Sequence, residues 1–310
     1  MLVCPGIGDI YWILVKLESF LKKRGIEKPE LYTWEGVNPN RERSSGYIKR
    51  VPFVEYGGTY PLPTTKLFQR QYIHGNEWLF EDYKPQPNPA FHFDFVFIVN
   101  GLLRNGYSLE CAGLEEYETN WHFDLTPCQE VDYKEQLGGD YLIGYFSDNG
   151  MYEQSWLPKM PVEECYDMLK KIHEATGLPF VLAGREWDLG ITGQLMRLDG
   201  AESGGIGCLR NLAAETDIDQ FFALMKQSKG MFGFPSGATI KSTFFKKPTF
   251  MMWSKYFPEE GFYHHCVNPE SLGKWYDYEM VENYPALKDD IVARFVALLE
   301  NQEADSNFSN

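Results

Sequence analysis

The chain has 310 residues, is 44% hydrophobic and 24% charged, and carries a formal net charge of −15. That length suits two globular domains, each able to bury its own core, and the acidic balance argues against broad electrostatic capture of nucleic acid. No run approaches the ~18 apolar residues of a membrane span, and the N-terminus lacks the basic-then-apolar order of a secretory signal, so a cytoplasmic protein is expected.

The first element is a short apolar run, Leu2, Val3 and Cys4, which meets the turn Gly6-Ile7-Gly8-Asp9. Ile10, Ile13, Leu14, Leu17 and Leu21 then recur at helical spacing, with Lys16, Glu18, Lys22, Lys23 and Arg24 between them, up to Gly25. Glycines in such a turn allow close backbone approach, and a helix N-terminus favours an anion. Asp9 is therefore read either as the N-cap of this helix or as a functional carboxylate at the mouth of an α/β domain.

Residues 29–36 read as a second strand, a short polar helix lies around Arg41 to Lys49, and Val51 to Tyr56 reads as a third strand. Prolines at 61, 63, 85, 87 and 89 surround a possible helix at Thr64 to His74 and mark an excursion from the core. Phe93 to Val99 is short and apolar enough for a buried strand. Gly138-Gly139 precedes a fresh apolar run, Tyr141 to Phe146, and the domain boundary is placed there: an N-terminal domain over 1–138 and a C-terminal one over 139–285.

In the second domain a helix starts at Pro161, carries Val162, Cys165, Leu169 and Ile172, and ends at Gly177 and Pro179. Phe180 to Ala183 is a strand opening into Gly184-Arg185-Glu186, and the glycine-rich residues 198–208 read as a loop. A helix over Asp217 to Ser228, a strand at Met231 to Phe234, the turn Pro235-Ser236-Gly237, a helix over Ala238 to Phe245 and a strand at Pro248 to Trp253 follow. The last helix spans 286–301, with a frayed tail over 302–310. Successive βα domains of this kind predict an α/β protein of two Rossmann-like domains facing across a cleft.

Cysteines 4, 111, 128, 165, 208 and 266 are scattered, so reduced thiols are expected rather than disulfides or structural zinc. His264-His265-Cys266 has metal-ligand letters, but adjacent side chains of an extended chain point to opposite faces. No metal and no cofactor are expected.

The stretch from Leu212 to Gly237, with Thr216, the helix, the strand and Ser236-Gly237 in order, followed by Lys247-Pro248-Thr249, resembles the donor-site segment of the ADP-heptose:lipopolysaccharide heptosyltransferases. The turn at Gly8-Asp9 is similar to that family's N-terminal Gly-Asp turn. Together the matches cover about 60 residues in two blocks. Pro235 stands where the family has Asp, and Ile240 where it has His.

The resemblance implies a GT-B fold, with a nucleotide-sugar in the C-terminal domain and an acceptor in the N-terminal one. It implies Asp9 as the catalytic base, and Ser236, Gly237, Ala238 and Thr239 as holders of the donor pyrophosphate. Inverting, metal-independent sugar transfer is then expected. Amides and a helix dipole would stabilise the charge that builds on the leaving diphosphate, and Asp9 would take the proton of the acceptor hydroxyl.

Arg185, with Gly184 and Glu186, could add a forked contact to the same pyrophosphate, or pair with Glu186 or Asp188. Lys241 could replace the missing His, or be a surface lysine. Asp217-Ile218-Asp219 has the letters of a metal-diphosphate site but falls at a helix start, where acids favour the dipole. Trp12 and Trp187 are candidates for the cleft.

For the acceptor, Gly6, Gly8, Trp12, Arg41, Arg43, Lys66 and Arg70 are candidates, the basic ones being read either as phosphate contacts or as a solvated face. A glycan acceptor is expected first. A hydroxymethylated base in DNA, as in phage-type glycosyltransferases, and a non-catalytic nucleotide-sugar-binding protein are the alternatives.

Overall fold

A computed structural model of the chain describes residues 1–3, 7–34, 45–60, 96–97, 114, 117–120, 125, 131–146, 160–200, 207–254, 267–268, 270–281 and 284–307. It divides into two compact units, Met1–Cys128 with Glu259–Cys266 and Gln129–Pro258 with Val267–Asn310. Among the described residues, no helix is long and apolar enough to cross a membrane.

The first unit is built on a parallel sheet in the order β3-β2-β1-β4. Its strands are β1 (Leu2–Val3), β2 (Glu30–Trp34), β3 (Glu55–Tyr60) and β4 (Val96–Phe97). Helix α1 (Ile7–Arg24) follows β1 and buries Ile10, Ile13, Leu14 and Leu17 completely. It ends as its sequence requires. Gly25 takes φ +64°, the Ile26 amide bonds to Leu21 O (3.0 Å) and the Gly25 amide to Lys22 O (3.3 Å), which satisfies the last carbonyls.

Two expectations are corrected in this unit. The first helix begins at Ile7, so Gly8 and Asp9 belong to its first turn and Asp9 is the third helical residue, not the cap. An acid in that position still complements the helix dipole. The third strand runs over Glu55–Tyr60, after α2 (Ser45–Ile48), instead of over Val51 to Tyr56. Pro52 lacks an amide for a sheet ladder, and turn bonds from Val51 N to Ile48 O and from Val54 N to Val51 O occupy the preceding segment. Gly57 makes room for the Tyr32 ring, since a Cβ there would lie 2.4 Å from it.

The second unit is built on a parallel sheet in the order β10-β9-β8-β5-β6-β7. Helix α3 (Tyr133–Leu137) precedes β5 (Leu142–Tyr145) and packs on the helix over Ile218–Gln227. Gln227 ties it there, accepting from the Tyr133 amide (2.7 Å) and donating to Val131 O (2.8 Å). Helix α4 (Val162–Thr176) leads to β6 (Phe180–Leu182), with Gly177 closing the helix in the left-handed region.

A 3₁₀ turn over Glu186–Asp188 runs into α5 (Leu189–Asp199), and β7 (Leu209–Asn211) follows. Next come α6 (Ile218–Gln227), β8 (Gly230–Gly233), α7 (Gly237–Phe244), β9 (Thr249–Ser254), β10 (Tyr276–Val281) and α8 (Tyr284–Asn307). Helix α8 therefore continues past the expected end at 301, through most of the segment read as a frayed tail.

The core of this unit is aromatic at its centre. Fully buried Phe232 stacks on Phe250 (5.9 Å) and meets Phe146 (6.4 Å) and Phe295 (5.2 Å). Ion pairs hold α8 in place from outside. Lys288 reaches Glu164 (2.5 Å) and Asp167 (2.9 Å) on α4. Arg294 contacts Asp277 (2.7 Å) and Glu279 (2.6 Å) on β10, and donates to the Tyr278 carbonyl (2.9 Å).

Candidate functional site

Among the described residues, each sheet reverses its direction of strand addition once. From β1 the chain adds β2 and β3 on one side before β4 appears on the other; from β5 it adds β6 and β7, then β8, β9 and β10 on the far side. Ligands of open parallel sheets collect at the carboxyl ends of the two strands that flank such a reversal. In the first unit those strands are β1 and β4, and Asp9 lies on the helix that leaves β1. In the second they are β5 and β8, and the chain leaving β8 is Phe234-Pro235-Ser236-Gly237.

The exit from β8 is tightly determined. Gly233 has φ +148°, and a Cβ there would stand 2.0 Å from Tyr145 O of β5. The next amide, Phe234 N, bonds to that same carbonyl (2.8 Å). Ser236 and Thr239 then cap α7 reciprocally. The Ser236 amide donates to Thr239 Oγ1 (2.7 Å), the Thr239 amide to Ser236 Oγ (3.2 Å), and buried Thr239 Oγ1 to Phe234 O (3.0 Å). A helix leaves its first amides without intrahelical acceptors; here the reciprocal cap takes those of Ser236 and Thr239, on either side of the first helical residue, Gly237.

A second turn leaves β6, two strand positions from β8 and hence about 10 Å away. Gly184 is required there, because a Cβ would lie 2.7 Å from Asp188 Cβ. Asp188 is wholly buried and accepts the Arg185 amide (2.9 Å), so its carboxylate shapes the turn that carries Arg185. Arg185 is half-buried as a residue, and among the described residues its side chain forms no ion pair with Glu186 or Asp188. Ala214, after β7, donates to Gly184 O (3.0 Å) at φ +64°. A non-glycine residue in that region is strained by about 1–2 kcal/mol, and such strain clusters at functional sites.

Gly184, Arg185, Glu186, Ser236, Gly237, Ala238 and Thr239 thus share the carboxyl edge of one sheet. Lys241 differs. It is 9% exposed, which corrects the surface-lysine alternative, and its amine lies over the rings of Phe245 (5.3 Å), Phe244 (5.8 Å) and Phe222 (6.0 Å). Burial, reinforced by Lys226, pushes its pKa down to about 7 from 10.5.

Between pH 7 and 10.5 the unfolded chain therefore holds a proton there that the folded chain has released. Stability contributed by this group rises with pH across that window and is lowest below pH 7. Lys241→Met should raise stability at pH 7 by roughly 2–5 kcal/mol and flatten the rise toward pH 10. Urea unfolding at both pH values checks this.

Asp217 is committed to a structural task, accepting the Gln220 amide (2.8 Å) while Gln220 Oε1 takes the Asp217 amide (2.9 Å). Gly8, Asp9 and Trp12 are described through their backbone, as parts of α1, and so are Trp187 and Ala238 in their segments. Gly6, Arg41, Arg43, Lys66 and Arg70, which would carry the acceptor or DNA readings, lie outside the described residues, as do 264–266. Gly233 and Ala214 do not stand out in the sequence, and Asp188 does so only as a possible ion-pair partner of Arg185, not as the residue that shapes its turn. The usable signals were an acid four residues after a strand-end glycine and a second glycine at the end of β8.

Two parallel sheets, each with its reversal point at a glycine-bearing strand-to-helix exit, define the GT-B class of fold, two Rossmann-like domains in one chain. Solved structures bear this out over nearly the whole length. The E. coli ADP-heptose lps heptosyltransferase II is similar at a TM-score of 0.58 and 13% identity, covering 97% of this chain and 99% of that one. A glycosyl transferase family 9 protein from Veillonella parvula gives 0.58 and 12%, covering 96% of each chain. The E. coli heptosyltransferase WaaC with ADP gives 0.54 and 11%, covering 96% and 99%. No protein-family model and no curated protein sequence matches the chain.

Proposed function

We propose that this protein is a glycosyltransferase that takes a sugar from a nucleoside diphosphate sugar and transfers it to a hydroxyl of a glycan acceptor. The observation that carries the reading is the capped exit from β8, which sets the amino-terminal end of α7 at the reversal point of the second sheet. Likeness to solved heptosyltransferases supports it.

In this mechanism the acceptor oxygen attacks the anomeric carbon from the face opposite the diphosphate. The bond from that carbon to the phosphate oxygen breaks, which inverts the configuration. Asp9 takes the hydroxyl proton. Negative charge gathers on the leaving diphosphate, where the α7 amides and the Arg185 fork stabilise it without calling on a metal. Asp188 and the Ser236–Thr239 pair hold these groups in place before the substrate arrives, so little reorganisation is needed at the reacting moment.

Gly237→Pro tests the reading directly. Proline is well tolerated at the first helical position, where it removes one amide hydrogen and little else. A hydrogen bond to a charged group contributes about 1.5–3 kcal/mol, so nucleoside diphosphate affinity should fall roughly 10–100-fold with the melting temperature nearly unchanged. Calorimetric titration across a panel of nucleotide-sugars and nucleoside diphosphates measures it. If the affinity of the nucleotide that binds is the same in both proteins, the amides do not hold the diphosphate.

A further inference from the structure

The opposite edge of the second sheet carries a charge cluster that the proposed transfer does not use. Asp140 lies just before β5, Lys229 just before β8 and Lys247 just before β9, and these three strands are neighbours. Backbone bonds from Lys229 N to Tyr141 O (2.8 Å) and from Met231 N to Pro248 O (2.8 Å) draw the three strand entries together. Lys134 reaches in from α3. Its amine lies 2.7 Å from Asp140 Oδ1, and that of Lys229 lies 3.4 Å from Asp140 Oδ2.

Both carboxylate oxygens are thereby engaged. Lys247, half-buried, feels the charge of the same carboxylate and of both other amines, yet forms no ion pair among the described residues. Burial holds its pKa below the ordinary lysine value, and Lys134 and Lys229 lower it further, against the weaker opposing pull of Asp140. An amine in that setting gains from any anion brought to it, and exposed Lys134 beside half-buried Lys229 leaves an approach from solvent.

We infer that Lys134, Lys229 and Lys247 form a binding site for a phosphate-class oxyanion at the amino-terminal edge of the second sheet, separate from the carboxyl-edge site. Three ammonium groups on three different elements present several point-charge donors to one multivalent anion, as lysine rather than arginine recognition would. Asp140 offsets the mutual repulsion of the two outer amines when the site is empty.

Inorganic pyrophosphate is the probe, titrated calorimetrically into the full chain carrying Gly237→Pro, which weakens the carboxyl-edge site by one amide. Binding is expected at low ionic strength, weakening steeply with added chloride. Adding Lys247→Gln should weaken it at least tenfold, while nucleotide binding by the chain with Gly237 intact stays the same. Absence of binding at low salt, or an affinity indifferent to Lys247→Gln, overturns the site and leaves the glycosyltransferase reading standing. Side-chain ammonium NMR of the unmutated protein guards against a folding defect in the variant. The Lys134 and Lys247 signals should move together as pyrophosphate is added, and two stationary signals would also overturn the site.

Discussion

Asp9→Ala should lower the rate of sugar transfer by roughly 10²–10⁴-fold, the usual contribution of a positioned base. Without the carboxylate the acceptor hydroxyl must give its proton to water while it attacks. Nucleotide affinity should stay within about twofold, because the groups proposed to hold the diphosphate belong to the other unit. The helix itself should barely notice. As the third residue of α1, Asp9 contributes about 0.3–1 kcal/mol through the dipole, so the melting temperature separates a chemical defect from a folding one. Asp9→Asn should behave like Asp9→Ala, since the amide keeps the shape but accepts no proton. Steady-state kinetics with whichever nucleotide-sugar binds decides the matter, and an undiminished kcat in either variant would remove Asp9 from the reaction.

The second large effect is structural. Gly233→Ala should destabilise the protein by more than about 4 kcal/mol, because two penalties coincide. The residue sits at φ +148°, outside the range that side chains accept, and its new methyl would be driven into the Tyr145 carbonyl at 2.0 Å. That carbonyl also receives the Phe234 amide, so β5 and β8 would have to separate where they form the reversal point. Gly193→Ala is the control. It lies inside α5 with nothing within 4 Å of the added methyl, and should stabilise by about 0.5–1 kcal/mol. Equilibrium unfolding in urea compares the two, and a Gly233→Ala protein as stable as the parent would contradict the packing described at this corner.

The strongly periodic elements could be read from the amino-acid order because their signals are local. The stripe Ile10, Ile13, Leu14, Leu17 lies on the buried face of α1, Pro161 and Gly177 bracket α4, and Asp217 with Gln220 starts α6. The elements that escaped owe their form to partners distant in sequence. Helix α5 contains Gly190, Thr192 and Gly193, poor helix formers, and is fixed by burying Thr192 and Leu195. Strand β7 is three residues long and is secured at its start by Asp199, which accepts the amides of Cys208 (3.2 Å) and Leu209 (3.0 Å). Strand β10 alternates tyrosine with acid, a pattern that makes sense only once Arg294 is seen against it.

At the candidate site, Ser236 and Gly237 were visible as a strand-to-helix turn. Asp188 was not, since nothing local distinguishes a buried carboxylate that shapes a turn from an exposed one. Lys241 shows the same limit from the other side: its letters fit a polar contact, and only the aromatic rings packed from α6 and the end of α7 reveal a buried amine.

Arg294 has one more consequence. Among the described residues β10 is the outermost strand of its sheet, the border at which a foreign strand can add itself, the first step of many aggregation routes. The guanidinium occupies the Tyr278 carbonyl on that border and gathers Asp277 and Glu279 around it. An incoming chain would have to strip away a buttressed cation before zipping on, so the same arginine that fastens the last helix also raises the cost of adding a strand at Tyr278.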